Sequence, residues 1–250
     1  MGRMTDGVKH LLIINVLLFA ASLLYQDQLY DVLSLWYPEN PNFRIWQVVT
    51  HMFMHSNGFL LHIVFNMYGL WMFGTPLERQ WGMRKFLFFY FSAGLGAALV
   101  YTGVNYYVIH RGVEALVAAG QSQSEIMALL YQGKYNPAWM DMASPEVVNA
   151  MLQTYYSPML GASGAVYGIF MAFAMTYPNL ELMLMFIPIP IKAKYMIAGL
   201  IVLDLFSGIT GQSVGGVNVA NFAHLGGALF GFLMMWYWRR NQFDKNRWDL

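Results

Sequence analysis

Six stretches of this chain are long and apolar enough to cross a lipid bilayer, and this constrains the fold more than any motif. They run over about 9–26, 57–74, 84–105, 158–178, 191–210 and 217–238, near the roughly 20 residues that a spanning helix needs. Hydrocarbon offers backbone groups no water, so each span must bond its own N–H and C=O groups, which makes it helical. Only 11% of the 250 residues are charged, 58% are hydrophobic and the mean hydropathy is +0.43. A soluble domain carries about 25% charge. The reading is an all-α membrane protein: one domain over 1–250, built as a six-transmembrane-helix bundle. A net charge of +1 gives no hint of a nucleic-acid partner. The absence of cysteine excludes disulfides, a thiolate nucleophile and cysteine-held metal clusters. No small-residue cleavage site follows the first apolar run, so Leu11 to Tyr25 reads as a retained helix.

Basic residues set the orientation. With both termini in the cytoplasm, Arg3, Lys9, Arg79, Arg84, Lys85, Lys192, Lys194, Arg239, Arg240, Lys245 and Arg247 lie inside. Arg44, Arg111 and Lys134 lie outside, which accounts for all 14. An even number of spans agrees with both ends on one side. The stretch Trp36 to Thr50 then becomes an outer loop, and residues 106–157 an extended outer insert between the third and fourth spans. Within the insert, "ASPEVVNAMLQTYY" reads as an amphipathic helix with Ser144 as N-cap, Pro145 at its first position and Glu146 in its first turn. "VEALVAAGQSQSEIMALLYQ" reads as one or two more helices.

Polar side chains inside a spanning helix are costly, so each needs a reason. The second span carries His62 and Asn66, four apart and therefore on one helix face. The fourth carries Ser163 and Tyr167 at the same spacing, and the sixth carries His224. At about 1.5 Å per residue from the outer end of each span, Asn66 lies roughly 13 Å down, His224 roughly 10 Å and Ser163 roughly 8 Å. A hydroxyl, an imidazole and a His/Asn pair thus share the outer half of the bilayer. Taken alone, a serine between glycines is a helix-packing signal; the company it keeps at this depth argues for chemistry. Gly161, Gly164 and Gly168 mark one side of the fourth span, and Gly226, Gly227 and Gly231 mark the sixth, so the two helices can approach closely. Close approach lets His224 take the proton of the Ser163 hydroxyl, which is how a weak nucleophile is activated. His62, Asn66 and the Ser163 backbone N–H are of the right type to stabilise an oxyanion. Asp204, in the fifth span, lies near the other end of the arrangement in sequence terms, so the expectation is a Ser–His dyad without an acid. Tyr167, one turn from Ser163, is placed to pack against the imidazole.

These residues resemble the rhomboid intramembrane serine proteases over nearly the whole chain. The GxSG motif stands here as Gly161-Ala162-Ser163-Gly164, the AHxxG motif as Ala223-His224-Leu225-Gly226-Gly227, and the HxxxN of the second helix as His62 to Asn66. "LERQWG", Leu77 to Gly82, resembles the acidic turn after that helix. The resemblance implies Ser163 as nucleophile, His224 as general base, and His62, Asn66 and the Ser163 amide as the oxyanion site. It implies Tyr167 as the ring stacked on the histidine, with Gly161, Gly164 and Gly227 in support. It implies cleavage of transmembrane segments of other proteins near the outer face of the lipid bilayer, with no metal or organic cofactor. A bacterial inner membrane is the implied location. Two positions depart from the pattern. Trp46-Gln47 stands where a Trp-Arg pair is frequent, and His55 precedes His62 by seven residues, two more than expected, which leaves His55 as a loop-shaping residue. The competing chemistries are a haem- or metal-binding role for His51, His55, His62 and His224, and a transporter with a helix break at "FIPIPIKAK".

Overall fold

The computed structural model describes residues 3–58, 60–184, 187–210 and 218–241. Lys245 and Arg247 of the orientation argument, Phe59 of the second expected span, the first residue of the sixth, and Phe186 of "FIPIPIKAK" lie outside them.

The chain opens with α1 (Asp6–Leu24), which leads directly into α2 (Gln26–Leu33). The next loop contains α3 (Gln47–Thr50) and a 3₁₀ turn at His51–Phe53. Where the second span is expected, α4 (Leu60–Gly69) passes through a π-helical turn, Leu70–Gly74, into α5 (Thr75–Trp81). Then comes α6 (Met83–Ala118), a single helix of 36 residues. It is about 54 Å long at 1.5 Å per residue, against a hydrocarbon thickness of about 30 Å. The expected start of the insert at 106 therefore falls in mid-helix. Just past the end of α6 the chain turns at Gly120, whose φ of +93° only glycine adopts easily, and α7 (Gln123–Tyr131), α8 (Trp139–Met142) and α9 (Pro145–Tyr156) fold back. α9 has Ser144 at its N-cap as expected, but the hydroxyl donates to Glu146 Oε2 (2.5 Å) and caps no backbone N–H.

The last part comprises α10 (Ser163–Thr176), α11 (Ala193–Thr210) and α12 (Asn218–Arg240). Between α10 and α11 the chain forms a two-stranded antiparallel hairpin, β1 (Glu181–Leu184) with β2 (Ile187–Lys192), so the all-α expectation needs this correction. Pro188 and Pro190 interrupt any helix there, and alternating isoleucines suit a strand. Among the described residues, Asp6–Leu24, Met83–Ala118 and Ala193–Thr210 are each long and apolar enough to cross a membrane, with Ser163–Thr176 a shorter apolar helix.

Three hydrophobic clusters hold the described residues together, a small one of Leu35, Ala97, Ala98, Tyr101, Met159 and Ala223 and two extensive ones. The larger joins α1, α4–α6 and α10 through Val8, Leu11, Ile63, Met67, Leu70, Leu77, Phe86, Phe89, Ala93, Ala165, Ile169 and Ala172. The other belongs to the insert, where the far half of α6 packs Ile109, Val113 and Leu116 against Ile126, Leu130, Trp139, Val148 and Met151. The insert is fastened to the first loop: Asn40 Nδ2 donates to the Tyr155 carbonyl (2.9 Å) and the Tyr155 hydroxyl to the Glu39 carbonyl (3.0 Å). At the opposite end, the buried Glu78 carboxylate accepts from Thr5 Oγ1 (2.5 Å), Gly7 N–H (2.7 Å) and Val8 N–H (2.8 Å). An acid there satisfies orphan donors of α1 and matches the positive end of its dipole.

Candidate active site

Ser163 is the first residue of α10, not a residue deep within it. The five residues before it are not helical, so the depth read from a helical rise out of Pro158 does not apply. They are tied instead to the first loop. Met159 and Leu35 exchange both backbone hydrogen bonds (2.8 and 2.9 Å), and Gly161 N–H donates to the His51 carbonyl (2.9 Å). Gly161 has φ +121° and lies in this turn, a correction to its expected place on the α10 face. A Cβ at Gly161 would fall 2.9 Å from His62 Nε2 and 3.5 Å from Ser163 Oγ. Backbone conformation and the imidazole both require glycine here, and His62 is brought to the turn that presents Ser163. The first bond of α10 is Val166 N–H to the Ala162 carbonyl, so the N–H groups of Ser163, Gly164 and Ala165 have no helical partner. A half-buried hydroxyl thus stands at the positive end of a helix dipole, beside free amide donors.

α12 meets α10 backbone to backbone. A Cβ at Gly227 would fall 2.6 Å from the Gly164 carbonyl carbon, and one at Gly231 would fall 2.8 Å from Gly168 Cα. The small residues expected to allow close approach do so at Gly164, Gly168, Gly227 and Gly231. His224 lies one turn before Gly227, on the stretch of α12 that touches the residue after Ser163. Its ring stacks on Tyr167, with centroids 4.3 Å apart and planes 8° from parallel. Nδ1 lies 3.3 Å from Asp204 Oδ2. Among the described residues no hydrogen bond joins Ser163 Oγ to His224, and Nε2 is the ring nitrogen left over.

Asp204 corrects the sequence reading. It stands six residues before the end of α11, and His224 stands six residues after the start of α12. On consecutive antiparallel helices those positions share a depth, about 9 Å from either end at 1.5 Å per residue. The signal was present in the spacing; distance along the chain hid it.

Asn66, buried on α4, donates one amide hydrogen to the His62 carbonyl (2.8 Å), leaving a second hydrogen free and its Oδ1 without a partner among the described residues. His62 also lies against His55, ring centroids 5.2 Å apart. His55 is buried in the loop, with neither ring nitrogen hydrogen-bonded among the described residues. Gln47 has a role that its departure from Trp-Arg did not suggest. Fully buried, its Oε1 accepts from Trp36 N–H (3.3 Å) and Arg44 N–H (3.0 Å), while Nε2 faces the carbonyls of Asp31, Val32 and Asn42 (2.9–3.3 Å). This amide organises the first loop. His51, also fully buried, receives the Gly161 N–H through its carbonyl and bonds the Gln47 carbonyl through Nδ1 (2.8 Å). Burial pushes its imidazole down to about 4, so it is neutral.

Known proteins resemble this chain in sequence. The Rhomboid domain family matches residues 42–152 and 140–241. Among curated relatives, "RHOMBOID-like protein 12, mitochondrial" of Arabidopsis thaliana is 30% identical over 186 residues, covering 74% of this chain and 44% of that protein. "Rhomboid protease AarA" of Providencia stuartii is 30% identical over 199 residues, covering 76% of this chain and 54% of that protein. "Presenilin-associated rhomboid-like protein, mitochondrial" of Homo sapiens is 25% identical over 239 residues, covering 94% and 49%. The chain thus spans about half the length of these relatives. A match that takes in α4, the Ser163 turn and α12 shows that the chain belongs to the Rhomboid family.

Proposed function

We propose that this chain is an intramembrane serine endopeptidase that cuts transmembrane segments of other membrane proteins. The observation that carries the reading is one cluster: a serine hydroxyl at a helix N-terminus, with an imidazole on the abutting helix clamped between a tyrosine ring and a carboxylate. In this reading Ser163 Oγ attacks the scissile carbonyl carbon while His224 Nε2 takes its proton. The oxyanion forms beside the Ser163 N–H, with His62 and Asn66 as side-chain donors. His224 then delivers the proton to the leaving amine. Water attacks the acyl-enzyme by the same route, with His224 as base again. Tyr167 holds the imidazole plane through both half-reactions. Gly164 and Gly227 keep the helices at reacting distance, and Gly161 forms the turn.

The same reading places six spans in the bilayer: α1, α4 with its π turn, α6, α10, α11 and α12. The basic residues put both termini in the cytoplasm and the 106–157 insert outside. The partners are transmembrane substrates and the lipid bilayer, not nucleic acid. A bacterial inner membrane remains part of the proposal rather than of the comparison, since two of the relatives above are named as mitochondrial.

The test is cleavage of a fluorogenic transmembrane peptide with small residues near its outer end, in proteoliposomes containing the purified protein. Cleavage that Ser163→Ala abolishes is the expected result. Cleavage of equal rate by Ser163→Ala refutes the reading.

A further inference from the structure

The described part of α11 from Tyr195 to Thr210 holds one charged residue, Asp204. A carboxylate within a spanning helix is costly, so its presence calls for a compensating partner. α11 is also lightly covered, with Ala193, Ile197 and Ser207 as its buried residues. Yet Asp204 is turned inward: its side chain is 14% exposed, 3.3 Å from His224 Nδ1, and it faces the Tyr167 hydroxyl. The partner it has found is the imidazole of the proposed site.

We propose that Asp204 is a positioning residue for the proteolytic reaction: its carboxylate holds the Nδ1–H tautomer of His224 and so presents Nε2 to Ser163. This rests on the function proposed above. An ionised carboxylate has no hydrogen to give, so the hydrogen in this contact is on the ring nitrogen. A neutral imidazole protonated at Nδ1 carries its lone pair on Nε2, the form a general base needs. When Nε2 takes the Ser163 proton, both ring nitrogens carry hydrogen and the carboxylate faces the new cation. Asp204 itself gains and loses nothing; the proton moves from Ser163 Oγ to Nε2 and on to the leaving amine. The groups facing the imidazole are Asp204 from α11, Tyr167 from α10 and His62 from α4. Asp204 is the acid among them. Tyr167 fixes the plane of the ring by stacking, which leaves rotation within that plane to be fixed, and the Asp204 contact fixes it.

A purely structural role, tying α11 to the bundle, is the competing reading. Two measurements separate them. The first is histidine tautomer assignment by ¹⁵N NMR on the wild-type protein in detergent micelles, with His224→Gln identifying the signal. The neutral ring of His224 is expected to carry its hydrogen on Nδ1, and a neutral ring protonated on Nε2 overturns the proposal. The second is peptide cleavage by Asp204→Asn and Asp204→Glu. The amide keeps the volume but favours the wrong tautomer, an effect that costs about 10⁴-fold in the Ser-His-Asp proteases. The 3.3 Å contact here is longer and partly exposed, so the expected loss in kcat is about 100-fold with KM within about twofold. Asp204→Glu recovers part of it. Wild-type kcat in a folded Asp204→Asn protein overturns the proposal, as does a loss that falls on KM alone. If the wild-type protein cleaves no peptide, the proteolytic reading fails, and the tautomer measurement still decides whether Asp204 sets the ring.

Discussion

Gly227→Ala is the sharpest perturbation of the helix contact on which the site depends. The added methyl would lie 2.6 Å from the Gly164 carbonyl carbon and 3.1 Å from Gly164 Cα. Carbon atoms in contact settle at about 3.5–4.0 Å, so α12 must retreat from α10 by about 1 Å or more. The obstacle is backbone at the second residue of a helix, which has no rotamer by which to yield. His224 is one turn away on the same rigid element and moves with it, while Ser163 stays with α10. A displacement of about 1 Å costs on the order of 100-fold in an oriented reaction, and forced overpacking destabilises by about 1–3 kcal/mol. The assay is the rate of fluorophosphonate labelling, read beside the thermal unfolding midpoint. Gly199→Ala is the control, because a Cβ there meets nothing within 4 Å. Labelling of Gly227→Ala should fall by about two orders of magnitude and that of Gly199→Ala should not change. Wild-type labelling by a Gly227→Ala protein of unchanged stability would show that the α10–α12 spacing does not set the site.

Other consequences are more local. Gln47→Leu leaves the Trp36 and Arg44 N–H groups and the facing carbonyls without their side-chain partner, so stability should fall by about 1–3 kcal/mol; an unchanged unfolding midpoint would remove Gln47 as the organiser of the first loop. Asn66→Ala should lower kcat with little change in KM, because an oxyanion contact acts mainly in the transition state; unchanged kcat would take Asn66 out of the site. Acid should weaken the fold through the loop histidines. Burial holds His51 at about 4 and His55 at about 3, both below the ordinary 6.5. As pH falls through 6.5 the unfolded chain takes up protons that the folded chain refuses, so stability declines from about pH 6.5 down to about pH 3–4. His51→Gln should flatten that decline, and a stability that rises between pH 6.5 and 4 would contradict the burial argument.

The contrast between Tyr167 and Asp204 shows what was legible in the sequence. Tyr167 is four residues from Ser163 on one helix, so helical periodicity alone places it beside the site, and the stack on His224 follows. Small-residue spacing likewise foretold the α10–α12 contact. Asp204 is 20 residues from His224, and its proximity emerges only when two consecutive helices are counted outward from their connection. The early end of the fourth span was misread for another reason. Residues 158–162 are apolar enough to continue a helix, but Met159 pairs with Leu35 and Gly161 bonds the His51 carbonyl, long-range ties that no local pattern encodes. The hairpin between α10 and α11 was missed because its apolar strands resemble the flanks of the spans on either side. The length of α6 was hidden too, since Asn105, His110 and Arg111 look like the end of a span although the helix runs on into the insert.

The central claim is that Ser163 is a nucleophile activated by His224. The most direct measurement is fluorophosphonate labelling of the intact, detergent-purified protein, with the adduct mapped by mass spectrometry and His224→Ala as the companion variant. The account predicts a single adduct on Ser163, lost in His224→Ala at unchanged thermal stability. An adduct on another serine, or no adduct on Ser163 in folded wild-type protein, would contradict it.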